Sequence, residues 1–408
     1  MVSFELSHVN AFLAHKQHLL PGSRGDDLVQ TTRDIVALHA TSATTPYLSL
    51  WARINDFRRE MLDDALYERR NLAKVLCMRV TVHTVPRDEV PLFMQAYRSY
   101  VEKRTPPRFR GAGLLVQAGL CQEDESADLL LHLQRRVISV LSENGPSTTQ
   151  EIIQAVPELA SKIRHDIGKP YEGEFSIGSR LMNSISAQGI IIRARPRGTW
   201  RSNLHEYATL GDWLPDVDLA AVTPEAARAA VVHRYLSAFG PTTLEDIQWW
   251  TGFGKRDMMK ALEPSTPDLT EVSIEGLEDS FLMFRDETQR VAAFEPPDHP
   301  YAFFLPSLDP YIMGFHARDR FLGNEHCSKV FDRAGNALPT VWVNGRVVGA
   351  WDQSEDGSVT YGLFEDTCEA ERHLLRENAC RLGEFLGDTF VKPAFFHTSF
   401  TRSLTNRD

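Results

Sequence analysis

Two eight-residue stretches constrain what this chain can fold into. They read Gly145-Pro146-Ser147-Thr148-Thr149-Gln150-Glu151-Ile152 and Gly240-Pro241-Thr242-Thr243-Leu244-Glu245-Asp246-Ile247. In each, Gly-Pro halts a helix, and a threonine followed three residues later by an acid opens the next one as a capping box. The stretches begin about 95 residues apart, at 145 and 240. That period is too long for a solenoid, whose repeats run about 20–50 residues, and it points to modular domains.

Each module predicts helices followed by strands, the order of a winged helix. In the first, a helical stretch HVNAFLAHKQHLL is closed by Pro21-Gly22. Next comes a helix over 26–38, with Leu28, Val29, Ile35, Val36 and Leu38 on one face and Asp26 or Asp27 as its cap. Pro46 opens another helix behind Thr44 or Thr45, and after EMLDDALYERR the Val-rich LAKVLCMRVTVHTVP reads as paired strands. The second module runs through helices at 129–142, STTQEIIQAV and SIGSRLMNSISAQG to a strand–turn–strand hairpin, GIIIRARPRGTWRSNLHEYATL. The third has TPEAARAAVVHRYLSAFGP, TTLEDIQWWTG and KRDMMKALEP, then LTEVSIEG and DSFLMFRDE as strands. From about 295 the chain turns into short β-prone runs, with Asn344-Gly345 marking a hairpin, and closes with the helix CEAERHLLRENACRLGEFLG. The expectation is an α+β protein: winged-helix domains over 1–122, 123–216 and 217–292, and a small antiparallel barrel or sandwich with a C-terminal helix over 293–408.

Composition removes several function classes. Apolar residues make up 42% and charged residues 24%, ordinary for a packed soluble chain. No run of about 18 uncharged apolar residues exists, so no membrane span is expected. The N-terminus lacks the basic and apolar segments of a secretory signal. Five scattered cysteines without Cys-x-x-Cys argue against both a disulfide framework and structural zinc. A cytoplasmic monomer is expected.

Net charge is −11, from 44 basic and 55 acidic residues, so a globally basic nucleic-acid footprint is missing. Local charge differs. Between Ser176 and His205 lie Arg180, Arg193, Arg195, Arg197 and Arg201 with no acid, and Trp200 sits among them. Arginines beside an aromatic on a hairpin suit phosphate contact and groove insertion, and equally suit an exposed solubilising hairpin. A second run, Arg98 to Arg110, has Lys103, Arg104 and Arg108 against Glu102, and reads as well as a solvated linker. Because potentials act within about 10 Å, distant carboxylates do not forbid DNA contact.

The chemical motifs are few. His-Glu-x-x-His, clustered ligands, P-loop, dinucleotide fingerprint and Gly-x-Ser-x-Gly are all absent, so neither metal nor nucleotide cofactor is expected. His8, His15 and His18 read as a polar helix face. What remains is the turn His39-Ala40-Thr41. An imidazole with a reference pKa near about 6.5 can take a proton from water, and a hydroxyl two residues on can orient that water. The same residues can equally satisfy the end of one helix and cap the next, and a helix terminus behind His39 would favour its protonated form.

The order of these pieces resembles the AlkZ-type family of bacterial DNA glycosylases, of the kind that gives antibiotic producers self-resistance. The resemblance covers nearly the whole chain and rests on LHATSATTPYLSLWARI, SAFGPTTLEDIQWWTG, and LPSLDPYIMGFHARDRFLG with PTVWVNGRVVGAW. It implies three tandem winged-helix domains followed by a β-barrel. The family's Gln-x-Gln, Gln-x-Asp or His-x-Gln signature falls on His39-Ala40-Thr41: His39 matches a tolerated first residue, and Thr41 departs from the pattern at the second. The implied activity is hydrolysis of the N-glycosidic bond of alkylated or bulky-adduct purines in damaged duplex DNA. Arg180, Arg193, Arg195, Arg197, Trp200 and Arg201 would contact the duplex, with 190–209 as the groove-entering hairpin. The alternative is a non-catalytic DNA-binding protein, a regulator or lesion sensor, and a weaker one is a protein-interaction module.

Overall fold

A computed structural model describes residues 2–104, 111–165, 173–354, 356–391 and 398–405. The chain divides into two compact units. One is assembled from residues 1–62 and 229–408, the other from 63–228. None of the described helices is long and apolar enough to cross a membrane.

The 63–228 unit carries a sheet in which Val82–Pro86, Leu72–Leu76, Ile191–Pro196, His205–Thr209 and Ser147–Thr148 lie side by side. The paired strands expected at 72–86 form an antiparallel ladder, Leu72 opposite Pro86 and Val75 opposite His83. They share this sheet with the expected wing, since Lys74 and Arg193 are partners across neighbouring strands. Helices Ser126–Asn144, Thr149–Ala155 and Ile177–Ala187 pack Leu133, Val137, Ile152, Leu181 and Ile185 into one core with Ile191 and Tyr207 of the hairpin. Arg98 and Lys103 are exposed on the helix Val90–Arg104, whereas Arg108 and Arg110 of the second basic run lie outside the described residues.

The discontinuous unit begins with a strand the sequence concealed. Val2–Phe4 pairs in parallel with Val272–Ile274, some 270 residues downstream, and Leu269–Val272 pairs in turn with Phe281–Phe284. The first helix spans Leu6–Lys16, so His18, at φ 57°, is off the helix expected to carry it. Its ring instead bonds the Ser23 carbonyl at 2.8 Å and the Asp34 carboxylate at 2.9 Å. The helix expected over 26–38 is shorter, Leu28–Asp34, because the chain reverses at Val36.

The C-terminal β-runs form one antiparallel sheet, ordered Ala302–Leu305, Thr340–Val343, Arg346–Gln353 and Val359–Leu363. Among the described residues its first and last strands are not paired, so this sheet is open rather than a closed barrel. Asn344 and Gly345, at φ 49° and 76°, make the expected two-residue turn: both central positions need positive φ, which glycine adopts without strain. The helix expected after the sheet spans Glu369–Leu386.

Candidate functional site

The His39 turn is built on strain followed by a rigid anchor. Asp27 caps its helix, its carboxylate accepting from the Val29 and Gln30 amides at 2.8 and 3.1 Å. The helix ends at Asp34, and the Ala37 amide then donates to the Ile35 carbonyl at 2.9 Å across Val36, whose φ is 72°. A three-residue turn of that hand is rare, and for a buried β-branched residue it costs on the order of 1–3 kcal/mol. Such strain persists only where surrounding structure enforces it, and here it directs the chain into the extended pair Leu38–His39.

Beyond the turn, helix Thr45–Trp51 is buried along its whole length. Thr44 is its N-cap residue without a side-chain capping bond, and Thr45 Oγ1 instead donates to the Ser307 carbonyl at 3.0 Å. Ser49 Oγ and the two terminal guanidinium nitrogens of Arg53 donate to Asp309 at 2.7–2.8 Å, and Arg53 and Asp309 are inaccessible to solvent. Breaking a buried pair of this kind typically costs about 3–5 kcal/mol, so the turn is held between a strained bend and a locked helix.

His39 is 8% exposed and Thr41 is exposed. The recorded contact between them uses the Thr41 backbone amide, which donates to His39 Nδ1 at 3.4 Å. In the neutral ring, an Nδ1 that accepts this bond leaves the proton on Nε2. For His39 to act as a base it must present a lone pair, and the amide bond holding Nδ1 is long enough to yield. The helix that Asp27 caps ends at Asp34, five residues before His39, so the ring lies beyond the one-turn reach of its dipole.

The arginine hairpin lies in the 63–228 unit. Ser176 caps the helix that leads to it, accepting from the Ser179 amide at 3.3 Å. Strands Ile191–Pro196 and His205–Thr209 flank a loop tip, and the register shifts between Arg193 and Pro196. Two of the expected DNA contacts are held by carboxylates. Arg195 bonds Glu68 at 2.5 Å and lies 4.8 Å over the Tyr67 ring. Arg197 bonds both Glu206 and Glu151 at 2.7 Å, and these partners, Glu206 first, raise its pKa. Arg180 is exposed and stacks 4.2 Å from the Phe175 ring; Trp200 is half-buried and Arg201 exposed. Phosphate contact by Arg195 or Arg197 is therefore an exchange of partners.

The sequence reading missed the cationic group beneath this hairpin. Lys74, 5% exposed, donates to Tyr67 Oη at 2.7 Å. Burial, and then repulsion from Arg193, push its ammonium pKa down to about 8. His205, with Nδ1 buried and unpartnered among the described residues, is pushed to about 3 by burial, then Arg193 and Lys74. A cavity of about 10 Å³ touches Lys74, Asn183, Ser186 and Arg193, room for one water. The signal was present as a lone charge inside the otherwise apolar Leu72-Ala73-Lys74-Val75-Leu76.

Comparison with known proteins places this geometry. An interstrand DNA cross-link repair glycosylase of Streptomyces sahachiroi is 32% identical over 148 residues, 35% of this chain and 38% of that relative's length. The solved structure of the Streptomyces sahachiroi DNA glycosylase AlkZ superposes with a TM-score of 0.72 at 19% identity, covering 94% of this chain and 98% of the other; this likeness is one of fold. The family described as DNA glycosylase AlkZ-like matches residues 32–385, a span that contains His39, the arginine hairpin and the whole C-terminal sheet. The chain belongs to the AlkZ-like DNA glycosylase family.

Proposed function

We propose that the protein hydrolyses the N-glycosidic bond of alkylated or bulky-adduct purines in damaged duplex DNA. The observation that carries this reading is the family match over residues 32–385, with His39-Ala40-Thr41 on a strained, anchored turn inside it. A purine alkylated at nitrogen 7 or 3 is cationic, so the C1′–N bond breaks with its electron pair passing to the base. Water adds to C1′ of the oxocarbenium-like sugar and loses a proton. The enzyme then needs little acid catalysis: His39 positions the water and takes its proton, and the Thr41 hydroxyl orients it. Arg180, Arg193, Arg195, Arg197, Trp200 and Arg201 contact the duplex, and the protein acts as a monomer.

The finer architecture belongs to this proposal. Three tandem winged helices, over 1–122, 123–216 and 217–292, are supported by the helix–helix–helix–strand–strand order within 224–284, and by three helices, with short strands between them, ahead of the 191–209 hairpin within 126–209. The 293–408 segment takes the place of the family's barrel in chain order, and its four described strands form an open sheet. Limited proteolysis cutting first near 122, 216 and 292 supports that division.

Duplexes carrying N7-alkylguanine or N3-alkyladenine, incubated with the protein, test the activity by released base and abasic sites. His39→Ala is expected to lower release by about 10²–10⁴-fold, the scale of a lost acid–base group. Release that is undetectable across a broad adduct panel, with duplex binding intact, selects the non-catalytic sensor or regulator. Thr41 favours that second reading, because its hydroxyl reaches less far than an amide; a large gain in Thr41→Gln shows a competent scaffold with a weak native pair.

A further inference from the structure

Arg195 and Arg197 of the hairpin are held by acids, which directs attention to arginines that no carboxylate bonds. In the discontinuous unit, Arg24 and Arg381 face one cleft of about 610 Å³, walled by Leu19, Pro300, Tyr301 and Leu374. That volume falls among ligand clefts, roughly 300–1,000 Å³. Among the described residues no carboxylate bonds either guanidinium, although Glu377 lies on the same wall, bonded to His373 at 3.2 Å. Asn55 bonds the Arg24 carbonyl and Asp26, leaving the Arg24 guanidinium to the cleft.

Arg381 is fixed differently. It projects from helix Glu369–Leu386 and lies 6.0 Å over the Trp51 ring, which packs on Phe385, itself 5.8 Å from Arg59. The two guanidiniums repel: burial first, and then Arg381, lower the Arg24 pKa to about 10. Two like charges on one concave surface, neither of them bonded to Glu377 on its wall, are an arrangement that a bound anion relieves. The fork of a guanidinium matches two oxygens of a phosphate.

From this arrangement we propose that the Arg24–Arg381 cleft is a phosphate site that seats a phosphodiester of the nucleic-acid backbone. This rests on the DNA-processing reading above and gives it a contact surface distinct from the hairpin. The site holds the duplex through charge and carries no base information.

Cys380 lies in the cleft wall and is an exposed free thiol, and Cys368, at the start of the same helix, is exposed outside it. The experiment follows thiol alkylation of both cysteines by peptide mass spectrometry, with duplex DNA, a nucleoside monophosphate or inorganic phosphate at equal phosphate. Duplex is expected to slow labelling of Cys380 and not of Cys368. In Arg24→Gln/Arg381→Gln the protection disappears, the salt slope of duplex binding falls by about 2, and affinity at 0.15 M salt drops about 10- to 30-fold. The single variant Arg381→Gln, on an exposed helix face, shows half that change of slope with an unchanged melting temperature.

Duplex binding with Cys380 labelled at its free rate overturns the proposal and leaves the glycosylase reading standing. So does protection by free phosphate or the mononucleotide alone. Failure of the wild-type protein to bind any duplex removes the DNA reading and this inference together.

Discussion

The helices Thr149–Ala155 and Leu244–Thr251 open with the same local device and put it to different uses. In the first, Thr148 Oγ1 accepts from the Glu151 amide at 3.3 Å while Glu151 Oε2 accepts from the Thr148 amide at 2.8 Å. In the second, Thr243 Oγ1 accepts from the Asp246 amide at 3.0 Å while Asp246 Oδ2 accepts from the Thr243 amide at 3.1 Å. A capping carboxylate uses one oxygen and leaves the other. Glu151 turns its second oxygen to Arg197 on the surface. Asp246, fully buried, gives its second oxygen to the His316 and Ala317 amides at 2.6 and 3.0 Å. The cap is a local property, whereas the spare oxygen is assigned by the tertiary fold: once to a solvated ion pair, once to the loop that leads into the C-terminal sheet.

Asp246→Ala is the strongest way to break this comparison. It strands the buried amide of Thr243 and the part-buried amides of His316 and Ala317, and the expected loss is about 3 kcal/mol in denaturant titration. A cost equal to that of Thr148→Ala would show that the buried second oxygen does nothing.

Acid tests the two regions next. In the unit that holds Glu151, burial pushes His83 down to about 4 and His205 to about 3. Their folded pKa values lie below the unfolded value near about 6.5, so between these limits the unfolded chain binds more protons and stability rises with pH. Lowering the pH from about 6.5 to 4 should cost up to about 3 kcal/mol through buried His83 alone. Hydrogen exchange should loosen Thr149–Ala155 as the pH falls, and His83→Phe should flatten that response.

Smaller effects sharpen the shared part. Thr148→Ala and Thr243→Ala should each cost about 1 kcal/mol, the ordinary value of a cap, in thermal melts. The least change in stability is expected of Glu151→Gln. It removes one of the two acids on Arg197, so its readout is a steeper salt dependence of duplex binding; an unchanged slope would mean that Arg197 meets no phosphate.

Local signals were the legible part of this fold. The capping boxes, the Asp27 cap, the 191–209 hairpin and the Asn344-Gly345 turn are set by residues within a few positions of each other, and each formed as expected. The Val2–Phe4 strand escaped notice because three residues carry no periodicity and the partner lies at 272–274. At the candidate site, the turn was visible as His39-Ala40-Thr41, but not the reversal at Val36 or the Arg53–Asp309 lock beneath it, which joins residues 256 apart. A window of sequence also showed five arginines without an acid. Glu206 stands just past its edge, and Glu68 and Glu151 arrive through folding, so counting charge along the chain overstated the free cations of the hairpin.

The interrupted unit has a consequence for synthesis. Residues 63–228 leave the ribosome as a continuous block, while residues 1–62 emerge first and must wait for 229–408 before their unit is complete. At about 5–20 residues per second, the intervening block alone takes roughly 10–30 s to translate. Through that interval the strand Val2–Phe4 has no edge to join and the Arg53 charge has no Asp309. The His39 turn is thus encoded early and finished late, because a nascent chain that has made only its middle unit still lacks the partner that locks the helix behind that turn.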